Sequence, residues 1–255
     1  MSRSRALAWP LLAAALLCLP TLSRPHAEGG ALLAYPAPGS YRLDHIQRAP
    51  QGIVLEDNYF PRLLSRYTTG SITLLSFFYS SCADPQGCSL AWEAFEKLRA
   101  ALKERPDLQG QVRLVFLTLD PARDTPDTLG AFARAYEADA AVAPWHFLTT
   151  YSDFFLAPLL RGFGEEIAVD RSASGEGGPV FNHLLKVFLI DREGFEREIY
   201  SNQSLDVAAM LNDIETLLIE AGRRQIDRPV VSDCLLARKA PQARLRDEGK
   251  RRLRE

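Results

Sequence analysis

Residues 71–89, SITLLSFFYSSCADPQGCS, decide the fold of this 255-residue chain. The first nine of them form an apolar, β-rich run, which predicts a buried strand. The loop that follows carries Cys82 and Cys88, and the next segment, LAWEAFEKLRAALKE, has apolar residues at helical spacing. Both thiols therefore lie near the positive end of a helix dipole, which lowers a thiol pKa. They are candidate nucleophilic or metal-binding thiolates, and a disulfide that merely closes the loop is the alternative.

The rest of the chain continues this strand–loop–helix order. QVRLVFLTLD predicts a second buried strand, and Thr125 followed by Pro126 predicts the start of a helix. WHFLTT is a further short strand, LLKVFLI and FEREIYS predict an antiparallel hairpin, and Ser204 is the predicted cap of a final helix. This order predicts an α/β, thioredoxin-like fold with a central mixed sheet flanked by helices. The cysteine loop then lies at the carboxyl ends of parallel strands.

The two ends of the chain differ in composition from this core. Residues 1–27 combine a basic start with the apolar run PLLAAALLCLP and predict a cleaved signal peptide, with an uncleaved membrane anchor as the alternative. An N-terminal extension (28–51), the thioredoxin-like domain (52–222) and a basic C-terminal tail (223–255) are predicted to follow. The predicted location is the periplasm or another exported compartment. Cys234 is expected to be a free thiol without a catalytic role.

The charge distribution argues against one class of partner. The chain has 30 Lys and Arg against 32 Asp and Glu, and eleven of the basic residues lie in the tail beside only five acidic ones. Three more arginines lie in the signal region, which leaves 16 basic and 27 acidic residues in the body. An acidic body does not favour nucleic acid. The tail is expected to be a solvated extension, with contact to an anionic membrane surface as the alternative.

His183 stands directly before the predicted hairpin and after a glycine-rich segment. In a thioredoxin-like topology this strand lies beside the cysteine-bearing strand, so Cys82, Cys88 and His183 are expected to converge. Two thiolates and one imidazole form a soft ligand set that suits cuprous copper, and it also holds cupric copper with a weak fourth ligand. Zinc is an alternative metal for this set, although a structural zinc site normally has a fourth protein ligand. A histidine that only caps a strand end at the surface is the alternative.

YSSCADPQGCSLA, LTLDPARDTP and NHLLKVFLIDREG, in this order, resemble the Sco/SenC family of exported, thioredoxin-like copper proteins over roughly residues 52–222. The resemblance implies copper binding by two cysteines and a histidine, matching Cys82, Cys88 and His183. It also implies a role in maturing the dinuclear copper centre of cytochrome c oxidase. The family usually has three residues between its cysteines and a proline after the second. Here five residues intervene and Ser89 follows, so a different affinity, redox potential or client is an open alternative.

Three functions remain open at this point. A copper-binding assembly factor would deliver copper to a respiratory copper enzyme, or reduce its thiols, using Cys82, Cys88 and His183. A metal-independent thiol–disulfide oxidoreductase would attack with Cys82 and resolve with Cys88. A non-catalytic domain would use the pair as a structural disulfide. In the DPARDTP loop, Asp120 and Asp124 are candidate partner contacts, and Asp124 is also a candidate helix cap.

Overall fold

The structure, a computed structural model, describes residues 35–82, 84, 87–137, 140–170 and 179–227. The strands are β1 (Gln47–Arg48), β2 (Ile53–Val54), β3 (Arg62–Leu63), β4 (Ile72–Phe78), β5 (Val112–Thr118), β6 (Trp145–Leu148), β7 (Ala168–Asp170), β8 (Val180–Asn182), β9 (Lys186–Ile190) and β10 (Phe195–Ser201). The helices are α1 (Ser65–Thr68), α2 (Cys88–Lys103), α3 (Pro126–Arg134), α4 (Asp153–Gly162) and α5 (Val207–Asp227). The predicted signal peptide, Cys234 and the tail beyond residue 227 lie outside the described residues. Within those ranges, no helix is both long enough and apolar enough to cross a bilayer.

Strand β4 is central to the sheet, and all seven of its residues are buried. It pairs in parallel with β5 and antiparallel with β9, in the strand order β1-β10-β9-β4-β5-β6. Strand β6 is parallel to β5. Helix α2 packs on β4, and helix α3 packs on β6. The predicted α/β fold with a central mixed sheet is therefore confirmed. Because β4, β5 and β6 run in the same direction, the loops that follow them share one edge of the sheet, which we call the carboxyl edge.

An aromatic cluster fixes α2 against the sheet. Phe116 of β5 stacks on Trp92 and on Phe95 of α2, with ring centroids 5.1 Å and 5.0 Å apart. Trp145 of β6 lies 5.1 Å from Trp92. Burial of each large apolar side chain stabilises the fold by about 1.5–3 kcal/mol. This packing holds the first turn of α2, which begins at Cys88, in a defined position over β4 and β5.

The folded unit extends beyond both boundaries predicted for the domain. Strand β1 belongs to the predicted N-terminal extension, yet it pairs with β10 in the main sheet. The buried Arg197 of β10 donates hydrogen bonds to the carbonyl oxygens of Leu43 at 2.6 Å and Asp44 at 3.1 Å. At the other end, α5 continues past Gly222 to Asp227. These ties join residues that are far apart in sequence, so no local hydrophobic pattern reveals them.

The segment before His183, whose polar and glycine-rich composition predicts a loop, contains a short hairpin. Strands β7 and β8 pair antiparallel, from Ala168–Asn182 to Asp170–Val180. Each has three residues, most of them exposed, and they flank residues 171–178, which lie outside the described ranges. Strands this short and this exposed have no clear alternation of apolar and polar residues, so the pattern could not predict them.

The cap of α5 differs from the prediction. The carboxylate Oδ1 of Asp206 accepts hydrogen bonds from the backbone N–H groups of Ala208 at 2.7 Å and Ala209 at 3.0 Å. Ser204 instead accepts from the N–H of Ser201 within the preceding turn. The prediction of a Ser204 cap was wrong because Asp206 directly precedes the helix and has a cap-forming side chain of its own.

Glu196 of β10 makes stability depend on pH. It is fully buried, and Gln47 of β1 donates to its carboxyl group at 3.1 Å. Burial raises its pKa from 4.5 to about 7. A carboxyl group with a raised pKa contributes stability below its unfolded pKa, and that contribution is lost as the pH rises through 7. We expect Glu196→Gln to remove up to roughly 3 kcal/mol of the fall in unfolding free energy between pH 4.5 and 8. Urea unfolding across this range measures the effect, and an unchanged slope would contradict it.

Candidate metal centre

Asp124 anchors the cysteine loop to the end of β5. Its side chain is fully buried and accepts a hydrogen bond from the backbone N–H of Ser80 at 3.0 Å. The hydroxyl groups of Ser80 and Thr118 also donate to this carboxylate. The helix that follows is capped by Thr125, which accepts from the N–H of Thr128 at 3.3 Å, as predicted. The two roles predicted for Asp124 were therefore wrong: it does not cap α3, and its burial removes it from contact with a partner.

The two predicted cysteine ligands lie together at the carboxyl edge. Cys88 is the first residue of α2 and is buried, while Cys82 is half-buried in the loop after β4. The backbone N–H of Cys82 donates to the carbonyl oxygen of Tyr79 at 3.0 Å. Both cysteines are free thiols, and their side chains are hydrogen-bonded to each other. The wider spacing of the two cysteines is therefore compatible with direct contact between the sulfurs.

This thiol–thiol hydrogen bond drives the two pKa values apart. Accepting a hydrogen bond from Cys88 lowers the pKa of Cys82 to about 6, and the backbone N–H of Asp84 and the hydroxyl of Tyr79 also favour the thiolate. The pKa of Cys88 is raised, first because its thiol donates to Cys82 and then because it is buried. The position of both thiols near the start of a helix predicts a lowered pKa for each, and this prediction was wrong for Cys88. Cys82 is therefore the thiol that ionises first, and Cys88 keeps its proton to higher pH.

Cys82 is therefore expected to react with iodoacetamide at a rate that rises with an apparent pKa near 6 and levels off above pH 7. Cys88→Ala removes the largest cause of the lowered pKa, so it should move the Cys82 pKa upward, toward 9. Thiolate absorbance in the ultraviolet and peptide mapping of the alkylated protein measure both effects. Tyr79→Phe removes a weaker donor and is the matched comparison. An unshifted Cys82 pKa in Cys88→Ala would contradict the assignment.

His183 lies in the short connection between β8 and β9 and is half-buried. Its Nδ1 is 3.2 Å from the carbonyl oxygen of Leu184, which can only accept a hydrogen bond. Nδ1 therefore carries the proton and Nε2 keeps its lone pair, the arrangement found in metal-binding histidines. Burial lowers the pKa of His183, and the charge of Asp84 acts in the opposite direction. The ring is thus neutral near pH 7 and lies within electrostatic range of the cysteine loop.

The imidazole and the two thiols are not assembled into one site. Among the described residues, no group of three or more His, Cys, Asp or Glu side chains is placed to hold a metal ion. The two segments touch through aromatic rings instead: Phe181 of β8 lies 5.0 Å from Tyr79, whose hydroxyl group bonds Cys82. Convergence of the three predicted ligands on one ion stays a prediction.

A cavity of about 680 Å³ lies beside His183, between residues 164–168 and 182–186. Lys186 spans one end of this cavity, donating to the carbonyl oxygen of Gly164 at 2.7 Å and lying 3.7 Å from the buried carboxylate of Glu165. Burial raises the pKa of Glu165 to about 7. Residues 183–185 have no regular secondary structure. The imidazole therefore has open space beside it in which to adopt a different rotamer.

The chemistry of the three side chains fits a soft metal ion. Cys82 already offers a thiolate, and Cys88 can offer a second one if it gives up its proton. The neutral ring of His183 offers Nε2. Two sulfurs and one imidazole nitrogen suit cuprous copper. Because a protonated thiol must ionise to bind, metal binding at this set releases a proton.

Two residues that shape this site, Tyr79 and Phe181, were not predicted from the sequence. Tyr79 ends the apolar run three residues before Cys82, and a tyrosine at the mouth of a thiol loop is a signal that could have been used. Phe181 gave no signal, because its segment has the composition of a loop. The other predicted partner contact, Asp120, is buried at the end of β5 and lines a second cavity.

Comparison with known proteins identifies relatives of this fold. A family model described as SCO1/SenC matches residues 62–219. Copper-bound ScoI of Arabidopsis thaliana aligns with a TM-score of 0.57 and 16% identity, over 68% of this chain and 99% of that one. Yeast Sco1 with copper bound aligns with a TM-score of 0.54 and 14% identity, over 67% of this chain and 90% of that one. BsSco aligns with a TM-score of 0.51 and 18% identity, over 69% of this chain and 98% of that one. It is described as having a disulfide switch and as a member of the Sco family of cytochrome c oxidase assembly proteins.

At these identities the structural matches establish the thioredoxin-like fold of the Sco proteins, as predicted. No curated protein matches the chain at a significant level.

Proposed function

Because this chain belongs to the SCO1/SenC family, we propose that it is an exported copper-binding assembly factor for a respiratory copper enzyme such as cytochrome c oxidase. Copper is its cargo, held by Cys82, Cys88 and His183. Two structurally similar proteins are described with copper bound, and a third as a member of a family of cytochrome c oxidase assembly proteins. These similarities support the proposal for this chain.

The observation that carries the proposal is the hydrogen-bonded pair of Cys82 and Cys88 at the carboxyl edge. A low-pKa thiolate beside a protonated thiol gives one ligand ready to bind and a second that binds on losing a proton. His183 supplies a neutral imidazole on the adjoining segment. Copper binding should therefore become tighter as the pH rises, since each bound ion displaces a proton.

A second candidate, a metal-independent thiol–disulfide oxidoreductase, is favoured by the same difference in pKa. The Cys82 thiolate would attack a client disulfide, forming a mixed disulfide and releasing one client thiolate. Cys88 would then lose its proton and attack the Cys82 sulfur. This step would close the Cys82–Cys88 disulfide and leave the client with two thiols.

Replacement of His183 separates the two candidates. We expect the reduced protein to bind about one copper per chain, with a thiolate-to-copper charge-transfer band in the cupric form. His183→Ala should weaken copper binding by about 10–100-fold and remove nitrogen coupling from the electron paramagnetic resonance spectrum. Metal-free reduction of a disulfide substrate should change little. His45→Ala alters an exposed histidine and is the matched control. Unchanged copper binding in His183→Ala, together with rapid metal-free turnover, would favour the oxidoreductase.

A further inference from the structure

A second cavity, of about 380 Å³, lies at the carboxyl edge between the DPARDTP loop, α4 and the β7–β8 hairpin. We call it the Asp120 cavity. Most of its wall is apolar and comes from these side chains: Leu119, Leu156, Leu160, Ile167, Val169 and Phe181. In the described ranges, three charged residues interrupt this wall, namely Asp120, Arg123 and Asp153. Two carboxylates against one guanidinium give the cavity an excess of negative charge.

The buried carboxyl group of Asp120 lacks a full set of hydrogen-bond donors to replace the water it has lost. Only 7% of its side chain is exposed, and its Oδ2 has no hydrogen-bond partner among the described residues. Within the described part of the chain, Nε of Arg123 is the cation paired with this oxygen, at 3.8 Å, which is too long for a hydrogen bond. Burial, and then the charge of Asp124, raise the pKa of Asp120. A buried acceptor without a donor is costly, and an incoming cationic donor would relieve that cost.

The combination of an apolar wall and a buried carboxylate selects a particular kind of occupant. A small metal cation would find few oxygen ligands here, because Asp120 and Asp153 are the two carboxylates that line the cavity among the residues the structure describes. A long basic side chain fits better, because its methylene groups cover the apolar wall while its charged end reaches the carboxylate. Arginine has the better geometry of the two basic residues, since its planar group pairs with a carboxylate through two hydrogen bonds.

The Asp120 cavity adjoins the thiol pair. Phe181 forms part of its wall and lies 5.0 Å from the ring of Tyr79, which bonds Cys82. Phe154, which follows the cavity-lining Asp153 in sequence, has 81% of its surface exposed and is a large apolar side chain available to a partner. A chain segment seated in the cavity would therefore continue directly onto the cysteine loop.

We propose that the Asp120 cavity is a docking subsite for an arginine or lysine side chain of the client protein, which places the client's own copper ligands or thiols beside Cys82. This inference rests on the proposed function, because it takes the occupant to be the protein that exchanges copper or disulfide with this chain. It adds a site, a residue with the role of cation acceptor, and the chemistry of the segment that binds there.

Binding of three labelled nonapeptides to the full-length protein tests the inference. The peptides contain glycine, serine and leucine and differ only in the central residue, which is arginine, citrulline or glutamate. Fluorescence anisotropy should show about tenfold tighter binding of the arginine peptide than of the citrulline peptide, and the weakest binding for glutamate. This preference should decrease as salt is added.

Three variants locate the preference. Asp120→Asn keeps the side-chain shape and should make the arginine and citrulline peptides bind equally. Asp107→Asn alters an exposed carboxylate that pairs with Arg105 elsewhere on the surface, and it should leave the preference unchanged. Ala157→Leu narrows the cavity from α4 without changing any charge and should weaken both peptides. Because Ala157→Leu tests the cavity without altering Asp120, it keeps the test decisive if Asp120→Asn does not fold.

Several results would overturn the inference. Equal binding of the arginine and citrulline peptides, a preference that survives Asp120→Asn, or unchanged binding of both peptides to Ala157→Leu would each reject the subsite. The basic tail is a rival occupant: if replacing its six Lys and Arg between residues 244 and 254 with glutamine strengthens arginine-peptide binding tenfold, the tail fills the cavity and the client assignment fails. An arginine preference in a protein that does not bind copper rejects the proposed function and the client assignment together. Normal copper binding without the preference rejects this inference alone.

Discussion

Cys88→Ser is expected to lower the affinity for cuprous copper by more than about 100-fold. A serine hydroxyl group does not ionise near neutral pH and is a poor ligand for a soft ion, so one of two sulfur ligands is lost. The remaining sulfur, that of Cys82, also becomes harder to ionise, because the Cys88 thiol is the largest cause of its lowered pKa. Competition with a chromogenic cuprous chelator measures the affinity, with the protein kept fully reduced.

Cys234→Ser is the matched control for this experiment, since it removes a thiol that has no predicted role at the site. It should bind copper as the unaltered protein does. Thermal unfolding of each variant shows whether a loss of copper reflects a loss of fold. A folded Cys88→Ser protein that binds copper within a few-fold of the unaltered protein would remove Cys88 from the ligand set.

Asp124→Ala is expected to lower the free energy of unfolding by about 3–5 kcal/mol. The buried carboxylate accepts hydrogen bonds from the backbone and hydroxyl groups of Ser80 and from the hydroxyl group of Thr118. Its removal leaves these donors without an acceptor and opens a void between the ends of β4 and β5. Because Ser80 stands two residues before Cys82, the variant should also change the reactivity of that thiol.

Urea unfolding measures this loss, and Asp127→Ala is the control. Asp127 is exposed in the first turn of α3, so its removal should cost only about 0.3–1 kcal/mol through the helix dipole. Asp124→Asn keeps the side-chain volume and part of its capacity to accept hydrogen bonds. Its loss of unfolding free energy should lie between those of Asp124→Ala and Asp127→Ala. A loss below 1 kcal/mol in Asp124→Ala would show that the carboxylate does not anchor the cysteine loop.

Much of the fold was predictable because its signals are local. The apolar run before Cys82 and the matching run over residues 111–120 are the parallel central strands, and Thr125 with Pro126 starts α3 as expected. The limits of the domain were not predictable in this way, because Arg197 reaches back to Leu43 across the fold. The exposed strands β7 and β8 also lack a local signal.

For the site, the sequence alone determined which side chains are available: two cysteines on one strand-to-helix loop, and a histidine before the strand that joins the sheet beside them. Only the tertiary structure decided what each side chain does. It made Cys82 the thiolate and Cys88 the proton holder, turned Asp124 inward, and left Asp120 buried in an apolar cavity. These properties depend on burial and on contacts between distant residues, such as Ser80 with Asp124 and Tyr79 with Phe181. Patterns of residues that are neighbours in the sequence carry no information about burial or about contacts between distant residues.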